Sequence, residues 1–169
     1  MPESNTVRES LVCSTTQGSP IQEDDYTYAL KAVRLLELVT EIGGLDTELK
    51  EGSLSQGQKQ LFSLARAILR ARLRSKSSSE VGGILLLDEI NSSVDKETDE
   101  FMQGVIMREF KSYTVVYVTH KLDTAMDYDR LVIMDKGEIV EVGKPTELLM
   151  QEGGRFRALW QVGSNSQKV

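Results

Sequence analysis

Long apolar runs, paired cysteines and an excess of positive charge are all lacking in this chain of 169 residues. No stretch approaches the ~20 consecutive apolar residues of a membrane-spanning helix, and no signal peptide opens the sequence. The single cysteine, Cys13, excludes a disulfide within the chain and fits a reducing compartment. A net charge of −6 and a pI near 4.9 argue against nucleic acid as a partner. The chain itself is therefore expected to be soluble and cytoplasmic.

Two segments carry most of the information about function. With 169 residues, 40% of them hydrophobic, the chain is long enough for one domain with its own core, and no internal repeat is visible. Residues 54–70 read LSQGQKQLFSLARAILR, and residues 84–95 read ILLLDEINSSVD. Each segment predicts an element of secondary structure with polar groups at one end.

The first segment predicts a helix whose N-terminus can bind an anion. Ser55 is a preferred N-cap residue, and Gly57 would let a phosphate approach the backbone closely. A helix N-terminus offers free N–H groups and a partial positive charge. An ordinary capped amphipathic helix shares these features, but the longer string, with Gln60 and Arg66, is more specific than a cap. The apolar residues with helical spacing are Leu61, Leu64, Ala65, Ile68 and Leu69.

The second segment predicts a strand that ends in two acids. Residues 84–87 are all apolar, which is typical of a fully buried parallel strand. Asp88 and Glu89 follow at its carboxyl end, where ligands bind in open α/β sheets. One carboxylate can hold Mg²⁺, usually through water, and the other can polarise an attacking water. The plainer alternative is a pair of exposed acids that begin a loop.

A helix and a second strand are predicted next. Asp95 is placed to cap the helix, and residues 114–118 predict another buried strand, which ends in Thr119-His120. His120 is the only histidine of the chain, and at a sheet edge shared with Glu89 it could donate to a γ-phosphate. A lone histidine is more often structural. The apolar side of the helix consists of Phe101, Met102, Val105, Ile106 and Phe110.

Together these segments resemble the C-terminal part of an ATP-binding-cassette (ABC) transporter nucleotide-binding domain. The similarity is strongest to the second such domain of the multidrug-resistance-associated branch, subfamily C, and it covers nearly the whole chain. The further stretches that carry it are Thr6–Leu11 (TVRESL), Gly44–Glu48 (GLDTE), Val118–Leu122 (VTHKL) and Met134–Gly143 (MDKGEIVEVG).

The resemblance implies an α/β fold, a partial P-loop NTPase (ABC ATPase) domain. It would have a helical signature subdomain over about residues 21–80. Residues 81–169 would hold the Walker B strand, the switch histidine and a C-terminal β-hairpin plus helix. The cofactors implied are ATP and Mg²⁺. The residues that match the signature, which closes over an ATP held by an opposing domain, are Leu54, Ser55, Gly57 and Gln58.

The other matches are single polar residues. Asp88 corresponds to the Walker B aspartate that serves Mg²⁺, and Glu89 corresponds to the catalytic base. Asp95 corresponds to the D-loop aspartate, and His120 to the switch histidine. Position 56 departs from the family, because it is Gln where the consensus has Gly.

The family's phosphate loop is missing from the sequence. No GxxxxGK[ST] motif occurs, and neither the glutamine loop nor the aromatic residue that stacks on adenine has a counterpart. The nearest approach, Gly137 with Gly143-Lys144, has the wrong spacing and predicts a hairpin of residues 131–134 and 138–142. We therefore expect the isolated chain to be inactive and to have lost the main source of triphosphate affinity.

Three functions are compatible with these patterns. The leading one is a fragment of an ABC transporter ATPase, whose full-length family lies at the cytoplasmic face of a membrane. Its partners would be an opposing nucleotide-binding domain and transmembrane domains. The second is a non-hydrolysing interaction subunit that offers its signature face to a partner ATPase. The third, a chromosome-maintenance or DNA-repair ATPase, is disfavoured because no coiled-coil heptads precede Leu54.

The remaining patterns predict local structure only. Residues 1–24 are expected to be irregular, and a helix around Tyr26 to Leu36 is expected to end at Gly43-Gly44. The polar stretch of residues 75–80 is expected to be a loop, and residues 146–151 a short helix after Pro145. The basic run predicted to be a solvated helix end is Arg66, Arg70, Arg72, Arg74 and Lys76. The last apolar stripe, expected in the core, is Phe156, Leu159 and Trp160.

Overall fold

The computed structural model describes residues 5–12, 20–50, 52–77, 82–90 and 94–166, without the side chains of residues 123 and 164–166. Cys13, residues 91–93 and residues 78–80 of the predicted polar loop lie outside this part. Two compact units are present, Met1–Tyr117 and Val118–Val169. In chain order the elements are α1 (Val7–Leu11), α2 (Glu23–Ala32), α3 (Leu36–Glu41), α4 (Gln56–Ser77), β1 (Gly83–Asp88), α5 (Lys96–Glu109), β2 (Tyr113–Val118), α6 (Leu122–Ala125), β3 (Leu131–Asp135), β4 (Glu138–Gly143), α7 (Pro145–Met150) and α8 (Arg155–Ser166).

A short capped helix begins the described chain, so the prediction of irregular structure throughout residues 1–24 is wrong. The Glu9 N–H donates to Thr6 Oγ1 at 3.2 Å, and the Thr6 N–H donates to Glu9 Oε2 at 2.8 Å. This reciprocal pair is a capping box, which satisfies two N–H groups that the first turn cannot bond internally. Val7 and Leu11 are fully buried, and they anchor α1 in the core of the first unit.

The helix predicted around Tyr26 to Leu36 is two helices. Arg34, between α2 and α3, has a φ of 58°, a left-handed conformation that no helical period reveals. Its guanidinium lies 4.1 Å from the ring centroid of Phe101, an attractive cation–π contact that accompanies the break. The predicted end at Gly43-Gly44 is confirmed, since both glycines have positive φ, 113° and 91°.

The core of the first unit forms around α4, a helix of 22 residues that packs on α1, α2 and α5. Its predicted apolar stripe is confirmed, with Leu61 partly buried and the other four members buried. The predicted apolar side of α5 is also confirmed: Phe101 is partly buried and the other four residues are buried. No helix in the described part of the chain combines the length and apolarity needed to span a bilayer. The polar stretch after Arg74 is helical as far as Ser77, further than predicted.

The two strands of the first unit, β1 and β2, are covered on one face only, so the prediction of fully buried strands is wrong. Burial alternates along both strands, with Leu85, Leu87, Val115 and Tyr117 packed against the core. On the other face Ile84 is 75% exposed, Leu86 is 68% exposed and Val116 is 44% exposed. A continuous apolar run predicts that both faces of a strand are buried. In the described part of the chain, other residues pack against only one face of these strands.

We expect the free chain to self-associate or to pack loosely, because exposed apolar strand faces favour aggregation. Size-exclusion chromatography and a thermal melt test this expectation. The double variant Ile84→Ser/Leu86→Ser should be more soluble than the parent chain. Leu87→Ser, on the buried face of the same strand, should instead unfold it. A monodisperse monomer with a sharp, cooperative melt would contradict the expectation.

The second unit is built on the predicted hairpin. β3 and β4 pair antiparallel through a two-residue turn, Lys136-Gly137, in which both residues have positive φ, 49° and 83°. The N–H groups of Arg155 and Phe156 donate to the Glu141 carboxylate, which therefore binds the N-terminus of α8. The predicted short helix is confirmed as α7, with Pro145 in its first turn.

The apolar stripe predicted in α8 is only partly in the core. Phe156 is 1% exposed and packs with Ala125 and Leu148, and Trp160 lies against this cluster with its ring 6.0 Å from that of Phe156. Leu159 is 45% exposed, so its assignment to the core is wrong. Residue 159 lies about 100° around the helix from residue 160, which is enough to turn it away from the cluster.

Candidate functional site

The turn before α4 is held by a capping box. The Gln58 N–H donates to Ser55 Oγ at 3.2 Å, and the Ser55 N–H donates to Gln58 Oε1 at 2.8 Å. The predicted N-cap role of Ser55 is thereby confirmed. Leu54 is 6% exposed and anchors the turn in the core cluster. The box uses the N–H groups of Ser55 and Gln58. The N–H groups of the two residues between them, Gln56 and Gly57, remain for a ligand at the end of the helix.

Gly57 keeps the first turn of α4 open on one side. A Cβ built on Gly57 would lie 3.5 Å from Val94 Cγ1, an ordinary van der Waals contact, and its φ is not positive. The backbone therefore does not require glycine at this position. The missing side chain instead allows close approach to the turn. The same contact places the beginning of α4 beside Val94, directly before the N-cap of α5.

The strand β1 ends in two exposed carboxylates, Asp88 and Glu89. Glu89 has a φ of 46°, so the chain turns through a left-handed residue immediately after the strand. For a residue other than glycine this conformation costs about 1 kcal/mol, which the surrounding structure must offset.

The acids at the end of β1 are oxygen donors, the ligand type that Mg²⁺ takes. Among the described residues, no group of three or more His, Cys, Asp or Glu side chains converges on one point. Mg²⁺ is usually bound through one or two carboxylates, with water and phosphate oxygens completing its shell. The magnesium site at Asp88 stays a prediction.

Asp95 caps α5, as predicted. Its carboxylate accepts the Thr98 N–H at 2.9 Å and the Thr98 hydroxyl at 2.8 Å. The bond from the Thr98 backbone and the bond from its side chain lower the pKa of Asp95. The carboxylate therefore stays ionised at neutral pH and fixes the first turn of α5, next to Val94 and the signature turn.

His120 belongs to the second unit, where it is exposed in the short connection between β2 and α6. The Lys121 N–H donates to Thr119 Oγ1 at 3.0 Å, and this local bond shapes the connection. The other predicted site residues all lie in the first unit. The structure brings the signature turn and the N-cap of α5 together there.

A buried acid was missed by the sequence analysis. Asp25 on α2 is fully buried, and its Oδ1 accepts from Arg72 Nε at 2.8 Å and from Lys76 Nζ. The predicted solvated helix end is confirmed for the exposed Arg66, Arg70 and Arg74, whereas the partly exposed Arg72 and Lys76 also pair with this buried acid, which the prediction missed. Burial alone raises the pKa of Asp25, but the hydrogen bonds from Lys76 and Arg72 outweigh it and lower the pKa to about 2.

Tyr28 extends this network to a third helix. The Arg72 guanidinium lies 4.4 Å from the Tyr28 ring centroid, and the Tyr28 hydroxyl donates to Glu109 on α5 at 2.8 Å. The network thus holds the C-terminal half of α4 against α2 and α5. No sequence signal indicates which acid among many would meet these cations, because the partners are 47 and 51 positions apart.

Comparison with known proteins relates this arrangement to transporters. No protein-family model matches the chain. The chain is 49% identical to the ABC-type transporter braE of Annulohypoxylon truncatum, over 98% of this chain and 11% of that protein. It is 40% identical to the ABC transporter FGM5 of Gibberella zeae, over 95% of this chain and 11% of that protein. It is 48% identical to the ABC multidrug transporter B of Aspergillus fumigatus, over 78% of this chain and 8% of that protein.

The likeness extends to three-dimensional structure. A bacterial Atm1-family ABC exporter, solved with ATP bound, matches with a TM-score of 0.75 and 23% sequence identity, over 95% of this chain and 26% of that chain. At this identity the likeness concerns the fold, which mixes helices and strands. The homologues are ABC transporters, and the chain spans 11% of the length of the first two relatives.

Proposed function

We propose that the chain is the C-terminal part of an ABC transporter ATPase domain, which in a complete protein couples ATP binding and hydrolysis to transport across a membrane. The observation that carries the proposal is 49% identity to an ABC-type transporter over 98% of this chain. The stretches Thr6–Leu11 and Met134–Gly143 support the finer placement in the second domain of a subfamily C transporter. Its partners are then an opposing nucleotide-binding domain and the transmembrane domains.

The signature turn binds the triphosphate that an opposing domain holds. The N–H groups of Gln56 and Gly57 are left by the capping box at this helix N-terminus, and Gly57 has no side chain to block access; both features favour a phosphate. The capping box with Gln58 fixes this turn before the ligand arrives, which lowers the entropic cost of binding. Gln56 in place of the family's Gly leaves the box intact, because neither box residue is replaced.

The acidic end of β1 carries the hydrolytic chemistry. Asp88 would hold Mg²⁺ through water, and the ion would neutralise charge on the phosphates. Glu89 would accept a proton from the water that attacks the γ-phosphorus, the phosphoanhydride bond of ATP would break, and ADP would leave. Asp95 fixes the turn beside the signature, and His120 serves as the switch histidine that the family resemblance implies.

The isolated chain is expected to bind Mg-ATP with a dissociation constant in the millimolar range or weaker, no more than about 4 kcal/mol of binding free energy. The reason is that a lysine and a backbone loop around the β- and γ-phosphates supply most of the affinity in this class. Isothermal titration calorimetry measures the affinity, and Asp88→Asn should change it little. Micromolar binding by the free chain would show that an unrecognised nucleotide site exists.

Fusing the chain to a phosphate-loop segment tests the proposed function. The segment is the part of braE that directly precedes the matched region, since this relative matches over nearly the whole chain. We expect the hybrid domain to bind Mg-ATP at micromolar concentrations and to hydrolyse it. If the hybrid binds ATP without hydrolysing it, the chain is a non-hydrolysing interaction subunit. If a folded hybrid does not bind ATP at all, the proposal fails.

A further inference from the structure

A pocket between α2 and α5 is lined by three cationic side chains. It has a volume of about 400 Å³, and its positive charge comes from Lys31, Arg34 and Arg108. One acid, Glu109, is among the described lining residues. Its Oε2 accepts from the Tyr28 hydroxyl at 2.8 Å, and its Oε1 accepts from Arg108 Nε at 2.9 Å. Three cations against one acid give the lining a formal charge of +2, in a chain of net charge −6.

Two of these cations have no acidic partner. Lys31 and Arg34 are exposed, and neither side chain makes an ion pair or a hydrogen bond within the described part of the chain. Arg108 uses Nε for Glu109, and its side chain is 60% exposed, so its terminal nitrogens remain available. Like charges placed together repel one another. An anionic ligand in this pocket would relieve that repulsion.

Arg34 is held in position before any ligand arrives. Its φ of 58° is left-handed, which is uncommon for a residue other than glycine, and such residues are frequent at ligand sites. Its guanidinium lies over the Phe101 ring, 4.1 Å from the centroid. A guanidinium that is already held on a ring loses little freedom on binding, and its planar fork of donors matches two oxygens of one anion.

The pocket is separate from the uncovered strand faces of the first unit. None of its described lining residues belongs to β1 or β2. The inner side of α5, with Val105, packs into the same core as Leu87 and Tyr117 on the covered face of the strands. The exposed Ile84 lies on the opposite face of β1. The helices that form the pocket therefore have their packing partners, and the pocket does not depend on cover for the strands.

We propose that this pocket binds a phosphomonoester group through Arg34, Lys31 and Arg108, with the carrier of the phosphate against the rings of Tyr28 and Phe101. A phosphomonoester has a charge of about −1.5 to −2 at neutral pH, which matches the lining better than the single charge of a carboxylate. The volume exceeds that of a bare phosphate and is in the range of small-molecule sites. Tyr28 is 41% exposed, so its ring can contact a carrier.

Phenyl phosphate and phenyl sulfate test the proposal on the intact chain. The two probes share one shape and differ by about one negative charge at neutral pH. Titration followed by saturation-transfer NMR gives both dissociation constants, and it needs only a low concentration of the chain, which limits self-association. We expect phenyl phosphate to bind at least about ten-fold more tightly than phenyl sulfate, because charge-assisted bonds to three cations strengthen with the charge of the anion.

Arg34→Gly gives the sharper test, since glycine adopts the left-handed conformation readily. The variant removes the guanidinium while the break between α2 and α3 persists, and it should weaken phenyl phosphate binding about ten-fold or more. Lys31→Ala should weaken binding less, because an ammonium is a point charge without a fork of donors. Arg66→Ala removes one positive charge from an exposed position on α4 outside the pocket and should leave binding unchanged.

A phosphoserine pentapeptide and glucose 6-phosphate identify the carrier. Tighter binding of the peptide assigns the pocket to a phosphorylated protein segment, and tighter binding of the sugar phosphate assigns it to a metabolite; both results support the site. Equal affinities for phenyl phosphate and phenyl sulfate overturn the proposal, and so does parental binding by Arg34→Gly. If Arg34→Gly loses its circular dichroism spectrum, Lys31→Ala is judged by the same criterion. These measurements are made without nucleotide and stand apart from the test of ATP hydrolysis.

Discussion

Glu89→Gln is expected to lower ATP turnover at least about 100-fold in a domain completed by a phosphate-loop segment, while ATP binding survives. Glutamine keeps the shape of the side chain and loses the charge that we propose accepts a proton from the attacking water. The proposed contacts of Ser55 and Gly57 with the triphosphate do not depend on this charge, so the variant should trap ATP between the two domains of a dimer. Steady-state phosphate release and nucleotide binding are measured side by side.

Companion variants separate the roles of the neighbouring groups. Asp88→Asn should weaken Mg²⁺-dependent ATP binding, whereas His120→Ala should lower turnover with little loss of affinity. Glu37→Gln, at an exposed position on α3, makes the same chemical change away from the site and should be silent. Hydrolysis by Glu89→Gln at the parental rate would show that another group activates the water.

Asp25→Ala is expected to destabilise the first unit by about 2–4 kcal/mol. The substitution removes the acceptor that Arg72 and Lys76 share and leaves a cavity where the buried carboxylate was. The two cations are partly exposed and can turn to water, which keeps the loss below that of a fully enclosed pair. Hydrogen exchange of α2 and α4, measured in the more soluble Ile84→Ser/Leu86→Ser background, should rise sharply.

Two controls isolate the buried network. Asp24→Ala, at an exposed position in the same turn of α2, should have little effect on exchange. Tyr28→Phe removes only the hydrogen bond to Glu109 and should accelerate exchange less than Asp25→Ala. Equal exchange rates in Asp24→Ala and Asp25→Ala would mean that the ion pairs contribute nothing measurable to stability.

The Asp25 carboxyl makes the stability of the first unit depend on pH in the acid range. The pKa of Asp25 is lowered from 3.8 to about 2, so the ionised form is favoured in the folded chain. The stabilisation, on the order of 2 kcal/mol, is complete above pH ~4 and is lost as the pH falls through about 2. Asp25→Ala should remove this part of the acid dependence, which exchange measured between pH 2 and 5 would reveal.

Local patterns were sufficient wherever an element depends on residues close in the sequence. The caps at Ser55 and Asp95, the stop at Gly43-Gly44 and the Lys136-Gly137 turn were all predictable, because each needs only two to four neighbouring residues. The capping box of Thr6 and Glu9 belongs to the same class, since its Thr-x-x-Glu spacing was present in the sequence and overlooked.

Sequence patterns could not predict the contacts between elements that are far apart in the chain. Arg34 leaves the helical conformation within an uninterrupted helical period, next to a ring that lies 67 positions further along the chain. The apolar run of β1 predicts burial on both faces, but one face is exposed. Burial of a strand face depends on whether another element packs against it, and the sequence of the strand does not specify this.

The sequence by itself determined the elements, their caps and the polar groups at their ends, because hydrogen bonds within one turn and apolar periods are local properties. Only the tertiary structure decided which charges would be buried. Arg70 and Arg72 are two positions apart in one basic run, but they lie on different sides of α4. Arg72 pairs with the buried Asp25, whereas Arg70 is exposed on another side of the helix, so neighbouring arginines of one run have different environments.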